Sequence, residues 1–136
     1  MKEVSIDGVE YVLTPKVKQE LFNDWRLPTI QELHTLINFE KHNPACDLED
    51  CVSDFYWSST LRVCLIEFAW GINFSYGNES SDYKNYGYYV RCVRDGNSGL
   101  EWSATSEREM NWYETIEYAK NLVAPVYYKA TIENES

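Results

Sequence analysis

Trp25-Arg26-Leu27-Pro28-Thr29 leads into the clearest helix of the sequence. Thr29 and Glu32 have the spacing of a capping box, in which the two side chains satisfy free N–H groups at the start of a helix. The apolar residues that follow repeat at helical spacing, namely Ile30, Leu33, Leu36 and Ile37. We therefore predict a helix from Ile30 to about Phe39.

Upstream of this helix, the sequence indicates a hairpin and a short helix. Residues 4–6 and 9–13 flank Asp7-Gly8, a dipeptide that favours the two-residue turn between antiparallel strands. Thr14-Pro15 has the form of an N-cap followed by proline at the first helical position. This second pattern predicts a helix that ends near Asn23.

Downstream, a long surface loop is predicted at residues 40–54, and β structure follows it. The loop contains Pro44 and acidic residues, and it lacks periodicity. Strands are predicted at residues 56–60, 63–70, 72–74 and 88–93, with turns at Gly71, Gly77 and Gly87. The stretch 75–87 is too polar for a buried strand, so we predict a loop or an edge hairpin there.

The C-terminal part of the chain contains a further helix and a closing strand. Asn111 and Glu114 have capping-box spacing before an apolar face made by Trp112, Ile116, Ala119 and Val123. Pro125 ends this helix, and residues 126–132 are predicted to form a strand. Helices and strands in separate blocks predict an α+β fold, and 136 residues fit a single domain over 1–136.

The charge and the start of the chain narrow the classes of function. A net charge of −10 argues against direct nucleic-acid binding, because phosphate affinity comes from lysine and arginine. The same charge fits either a solvated surface or an acidic face for a basic partner. Polar residues follow Met1, without the apolar run of a signal peptide or a membrane span. We expect a cytoplasmic or virion-associated protein that does not bind membranes.

The four cysteines fall into two pairs. Cys46 and Cys51 flank an acidic turn, where a small loop could close through a disulfide. Cys64 and Cys92 lie in apolar, strand-like stretches, and we interpret them as small core residues rather than disulfide or catalytic groups. No C-x-x-C spacing occurs, and the two histidines lie apart from the second pair, so neither zinc nor another cofactor is expected.

Four spaced segments resemble one known family. They are 25–29 with Glu32-Leu33, 56–60, Ala69-Trp70 leading to Phe74 and Gly77, and 89–94. In residues and in order they resemble the Legionella collagen-like adhesin C-terminal domain family, which is widespread in bacteria and phages. The resemblance covers about residues 25–95. It implies a C-type-lectin-like fold, similar to that of formylglycine-generating enzymes, with mixed antiparallel sheets and two to three helices.

Residues 100–132 resemble the strand and helix with which members of this family usually begin. Here that pattern follows Arg94 instead of preceding Trp25. The chain is then either circularly permuted, which we favour, or a repeat whose last helix completes a neighbouring subunit. The second interpretation leaves oligomer formation open.

The aromatic and basic residues of the shared motifs are interpreted as structural. Trp25 and Trp57 are expected to fill the core. The arginines are expected to fix carboxylates or loop carbonyls rather than an anionic ligand, and they are Arg26, Arg91 and Arg94.

Ligand binding is predicted on the Tyr- and Asn-rich surface of residues 75–87. Tyrosine supplies rigid contact area, and Asn, Ser and Gly supply adaptable hydrogen bonds. The candidate ligand-binding residues are Trp70, Tyr76, Asn78, Tyr83, Asn85 and Tyr86. The resemblance implies ligand contacts on this irregular half of the fold, and hence a module that binds a glycan or a protein.

Motifs for metal-dependent sugar binding and for catalysis are missing. Calcium-binding C-type lectins carry E-P-N or Q-P-D together with W-N-D, and the sequence contains none of these. Neither Cys64 nor Cys92 has a histidine or a cluster of bases nearby in sequence. We expect no metal, no catalytic residue and no enzyme. The alternative function is an acidic intracellular phage or mobile-element protein that inhibits a basic, nucleic-acid-binding host defence protein.

Overall fold

The computed structural model describes residues 19–130, together with the backbone of residues 2–6 and 9–13. Strands β1 (Lys2–Ile6) and β2 (Val9–Leu13) pair antiparallel, with Ile6 opposite Val9, which confirms the predicted hairpin. The dipeptide Asp7-Gly8 lies outside the described residues.

The prediction of a helix that ends near Asn23 is wrong for the residues that the structure describes. Its residues 14–18 lie outside the described part of the chain, and residues 19–23 are not helical. The Phe22 N–H instead donates to the Ala124 carbonyl oxygen at 2.9 Å, and Ala124 N–H donates back at 3.1 Å. This pairing joins segments a hundred residues apart, which a local helix pattern cannot reveal.

The middle part of the chain forms an antiparallel sheet of three strands. Its order is β3 (Phe55–Leu61), β4 (Phe68–Asn73) and β5 (Asn78–Tyr83). Gly77, with φ of 83°, lies in the turn between β4 and β5, as predicted. Because β5 is the edge strand, the polar stretch 75–87 is an edge hairpin rather than only a loop.

The strand predicted at residues 63–70 begins only at Phe68, because residues 62–67 form the β3–β4 loop. Cys64 is exposed there with φ of 73°, so its prediction as a core residue is wrong. An apolar run shows which side chains favour burial, but burial also requires a neighbour that covers them. Nothing within the described part of the chain covers this loop.

Gly71 lies inside β4 rather than in a turn, so that prediction is also wrong. A Cβ atom at this position would lie 2.2 Å from the Tyr56 carbonyl oxygen and 2.4 Å from the Phe55 ring. The glycine is therefore required by the close approach of β3 to β4.

Gly71→Ala is expected to destabilise the domain by about 1–3 kcal/mol, because the added methyl group forces the strand backbone to shift. Gly87→Ala is the matched control, since its nearest neighbour would lie 3.7 Å away, at ordinary contact distance. Urea unfolding of both variants measures the difference. Equal stability of the two variants would contradict this packing of β3 on β4.

A second antiparallel sheet holds β6 (Arg91–Asp95), β7 (Leu100–Thr105) and β8 (Tyr128–Lys129), in that order. The strand predicted at residues 88–93 starts later, because Tyr88 and Tyr89 form isolated bridges to Met110 and Tyr56. The closing strand predicted at 126–132 is shorter, since only two of its residues pair with β7; residues 131–132 lie outside the described part.

Two helices are described, and both begin with the predicted capping boxes. In α1 (Ile30–His34), Thr29 and Glu32 exchange side-chain and backbone hydrogen bonds of 3.1 and 2.9 Å. In α2 (Trp112–Asn121), Asn111 and Glu114 exchange the same two hydrogen bonds, each of 2.9 Å. The predicted end of α1 at Phe39 is wrong, because the chain turns there and Ile37 pairs with Cys46. Neither helix is long and apolar enough to cross a membrane.

The core lies between the two sheets and under both helices. Trp57 is fully buried, and Trp25 is buried beside α2, so both tryptophans fill the core as predicted. Cys92 is also buried, which confirms its prediction. Ala119 of α2 packs in the same cluster as Trp25.

Candidate functional site

The three motif arginines bind groups inside the domain, as predicted. Arg26 forms a two-pronged ion pair with Glu32, with N–O distances of 2.7 and 2.9 Å. Arg91 is buried and donates to the Ser103 carbonyl oxygen at 2.9 Å. Arg94 forms ion pairs with Asp24 and Glu101. These guanidinium groups position loops and strands.

The structure separates the six predicted ligand-binding residues into two groups. Tyr76 and Asn78 lie at the start of β5, where the Tyr76 ring stacks on His42 with centroids 6.4 Å apart. Tyr83, Asn85 and Tyr86 lie at the other end. A strand of six residues spans roughly 17 Å, so about this length of β5 separates the two groups.

Trp70 belongs with the Tyr83 end of the sheet. It lies opposite Ser81 on the face of β4 and β5 that also carries Phe68 and Tyr83. The Arg62 guanidinium lies 5.4 Å from the Trp70 ring centroid and donates to the Ser81 hydroxyl at 2.6 Å. Trp70 is thus half-buried beneath an arginine, with only part of its ring free for contact.

The aromatic residues at this end form a cluster, in which Tyr83 and Tyr86 are exposed and Phe68 is half-buried. The Phe68 and Tyr83 rings have centroids 4.3 Å apart, and Tyr83 and Tyr86 have centroids 5.5 Å apart. The Tyr86 N–H donates to the Tyr83 carbonyl oxygen at 3.0 Å, which fixes the turn after β5. The two tyrosines therefore present their rings on one ordered turn.

The β3–β4 loop adds aliphatic side chains that the sequence prediction did not assign to a site. Val63 and Ile66 are 85% and 82% exposed. The loop is joined to the aromatic cluster, because the Lys84 N–H donates to the Glu67 carbonyl oxygen at 2.8 Å. We call this combined surface the apex, and its residues are Leu61, Val63, Leu65, Ile66, Phe68, Tyr83 and Tyr86.

The opposite face of β5 is closed by packing against the domain. The Tyr88 hydroxyl donates to the Asp82 carboxylate at 2.5 Å, and burial together with this carboxylate raises the pKa of Tyr88. The Lys84 ammonium lies 4.6 Å from the Trp112 ring centroid, at the start of α2. The apex therefore lies on a strand whose opposite face packs against the rest of the domain.

A surface cavity of about 880 Å³ lies elsewhere, along α2. Its lining includes Tyr113, Glu117, Tyr118 and Asn121 and none of the six predicted residues. Within residues 19–130, no group of three or more His, Cys, Asp or Glu side chains is arranged to hold a metal ion.

The model of the Lcl C-terminal domain family matches residues 12–94, which is more than half of the chain. The chain belongs to this family. The match confirms the family that the motifs indicated, and membership points to an adhesin-related binding module. The matched residues include the whole apex. The match ends before β7 and α2, the segments that the proposed circular permutation concerns, so the permutation stays a prediction. No curated protein and no solved structure matches the chain.

Proposed function

We propose that this Lcl C-terminal domain is a non-catalytic recognition module that binds a protein ligand through the apex. Family membership supports the adhesin-related role. We choose the apex as the binding surface because Val63 and Ile66 are exposed beside the Tyr83–Tyr86 cluster. We further propose a C-type-lectin-like arrangement, in which α2 packs against Trp25 where family members place their opening helix.

The apex has the composition of a protein-binding surface. Large contiguous apolar patches are rare on monomeric proteins and mark interaction sites. Full burial of one valine or isoleucine side chain contributes roughly 1.5–3 kcal/mol, so Val63 and Ile66 together could supply much of a binding energy. Tyrosine is one of the residue types enriched in binding hot spots.

The aliphatic side chains favour a protein over a glycan. A sugar can stack on an aromatic ring such as Tyr83, but its hydroxyl groups would lose hydrogen bonds to water against Val63 and Ile66. A protein with an apolar surface covers the same side chains favourably. We therefore narrow the glycan-or-protein prediction to a protein ligand and treat glycan binding as an outcome of the test.

The alternative of an acidic inhibitor draws on the net charge of −10 and on the predicted cytoplasmic location. The apex is apolar, and the β3–β4 loop beside it carries one charge of each sign, on Arg62 and the exposed Glu67. This arrangement does not favour a basic partner, and the inhibitor function stays a prediction without support from the comparisons.

The combined substitution Tyr83→Ala and Tyr86→Ala is expected to weaken protein binding at least about tenfold, because each ring is a contact anchor. Labelled wild-type domain is applied to an array of purified cell-surface proteins and to a glycan array. The same two arrays are then probed with the Tyr83→Ala, Tyr86→Ala double variant and with Tyr76→Ala, the matched control. We expect signals on the protein array that Tyr76→Ala retains. Signals confined to the glycan array, or lost only with Tyr76→Ala, would contradict the proposal.

A further inference from the structure

A surface cavity of about 430 Å³ lies between the motif residues 25–27, β3 and α2. It shares no lining residue with the apex or with the larger cavity beside Tyr113. Its volume falls within the range of small-molecule sites, about 300–1,000 Å³. The cavity is therefore large enough to hold a small ligand that the apex does not contact.

The walls of this cavity are apolar. Five of its eight lining residues have apolar side chains, and these are Trp25, Leu27, Trp112, Ile116 and Ala119. The three residues from α2 are spaced by four and three positions, so they lie on one face of the helix. Trp25, Leu27 and Ala119 are buried, whereas Trp112 and Ile116 are half-buried. Such walls favour a ligand with an apolar body.

Hydrogen bonds fix the two tryptophan rings that line the cavity. The Trp25 indole N–H donates to the Phe22 carbonyl oxygen, and the Trp112 indole N–H donates to the Ser58 carbonyl oxygen, both at 2.9 Å. The Trp112 backbone N–H also donates to the Lys84 carbonyl oxygen at 2.9 Å. Because both indole N–H groups already have partners, the rings offer a ligand apolar surface. Walls that are fixed before binding lower the entropic cost of holding a ligand.

The two charged residues that line the cavity are both basic, although the chain has a net charge of −10. They are Arg26 and Lys120, and no aspartate or glutamate of residues 19–130 lines the cavity. Arg26 forms ion pairs with Glu32 and Asp95, so its charge is already compensated. The Lys120 ammonium lies 3.8 Å from the Glu117 carboxylate, and its side chain is 70% exposed. Such a surface pair contributes little, so Lys120 is the cation that a ligand can engage.

Ser59 of β3 supplies a further polar group to the cavity. Its backbone N–H donates to the Pro28 carbonyl oxygen at 2.7 Å, which fixes this part of the wall. Its hydroxyl group can donate a hydrogen bond to an oxygen atom of a ligand. A few polar groups in an apolar cavity are the usual means of orienting a small ligand.

We propose that this cavity binds a small carboxylic acid with an apolar, aromatic body. The body packs against Trp25, Trp112 and Ile116, and the carboxylate accepts hydrogen bonds from the Lys120 ammonium and the Ser59 hydroxyl. Hydrogen bonds between ionised groups are about twice as strong as those between neutral groups. The acid is therefore preferred over a neutral or cationic molecule of the same shape.

The test uses three probes that share one ring system, namely indole-3-acetate, the neutral indole-3-acetamide and the cationic tryptamine. Each is titrated into the ¹⁵N-labelled full chain and followed by NMR. Indole-3-acetate is expected to shift the amide signals of residues 25–27, 59 and 112–120, with a dissociation constant of about 1 mM or below. The amide is expected to bind at least about fivefold more weakly, and the amine more weakly still.

Lys120→Gln is expected to weaken binding of indole-3-acetate at least about fivefold and to leave binding of the amide unchanged. The fold should be retained, because this side chain is exposed, and the melting temperature checks this. Lys41→Gln is the matched control, since it removes the same charge from an exposed, ion-paired lysine outside the cavity. It should bind all three probes as the wild type does.

Four outcomes would overturn the proposal. They are the absence of saturable shifts with indole-3-acetate, shifts confined to the apex, equal affinity for the three probes, and equal losses in Lys120→Gln and Lys41→Gln. The result does not depend on the protein ligand proposed for the apex, because the two sites have no residue in common. Array signals and probe binding therefore succeed or fail separately.

Discussion

Trp57→Ala is expected to destabilise the domain by about 3–5 kcal/mol, the range for removing a large aromatic side chain from a packed core. Trp57 is fully buried in β3. Its ring packs edge-on against Phe55 at 5.1 Å and against Tyr88 at 5.4 Å, measured between centroids. Its indole N–H donates to the Met110 carbonyl oxygen at 3.1 Å, and in the variant this oxygen retains only the hydrogen bond from the Tyr88 N–H, at 2.9 Å.

Urea unfolding followed by circular dichroism measures this loss of stability. Tyr76→Ala removes another aromatic ring at a site that is 69% exposed, and it is expected to change the free energy of unfolding by no more than about 0.5 kcal/mol. A Trp57→Ala variant within this same margin of the wild type would show that the motif tryptophan is not part of the core.

The double substitution Val63→Asp and Ile66→Asp is expected to weaken binding of a protein found on the array by at least about a hundredfold. Two carboxylates would have to be buried against an apolar partner. A hundredfold weaker affinity corresponds to a loss of about 2.7 kcal/mol in binding free energy. The melting temperature should stay nearly unchanged, because both side chains are exposed in the free domain.

The matched control adds the same two negative charges at exposed apolar positions outside the apex. Leu21→Asp and Phe39→Asp meet this requirement, since both side chains are exposed. If this control weakens binding as much as Val63→Asp and Ile66→Asp do, the effect comes from net charge and the apex is not the contact surface. Titration of each variant by surface plasmon resonance separates the two cases.

Local signals in the sequence predicted the helix starts and the roles of the motif residues. Both capping boxes involve side chains three residues apart, and such bonds form within one turn of chain. The buried Trp57 and the ion-paired Arg26 follow from motif patterns that also identified the family. The capping boxes and the Arg26–Glu32 ion pair are local in the chain, whereas the burial of Trp57, which bonds Met110, was predicted from the motif and not from local contacts.

The apex could be predicted only in part, because exposure depends on the whole fold. Tyr83 and Tyr86 were predicted from composition, and they do lie together. Tyr76 was assigned to the same surface because composition does not show that β5 is extended between them. Val63 and Ile66 were predicted to lie in a strand, since an exposed apolar loop and a core strand have the same residue types.

Hydrogen–deuterium exchange tests the assignment of the apex most directly, because it locates the contact without any substitution. The domain is compared alone and in complex with a protein found on the array. We predict slower exchange on binding in residues 61–68 and 83–86, with no change around Tyr76 or along α2. Protection confined to Tyr76 and Asn78, or to the cavity beside Tyr113 and Tyr118, would contradict the assignment of the apex as the binding surface.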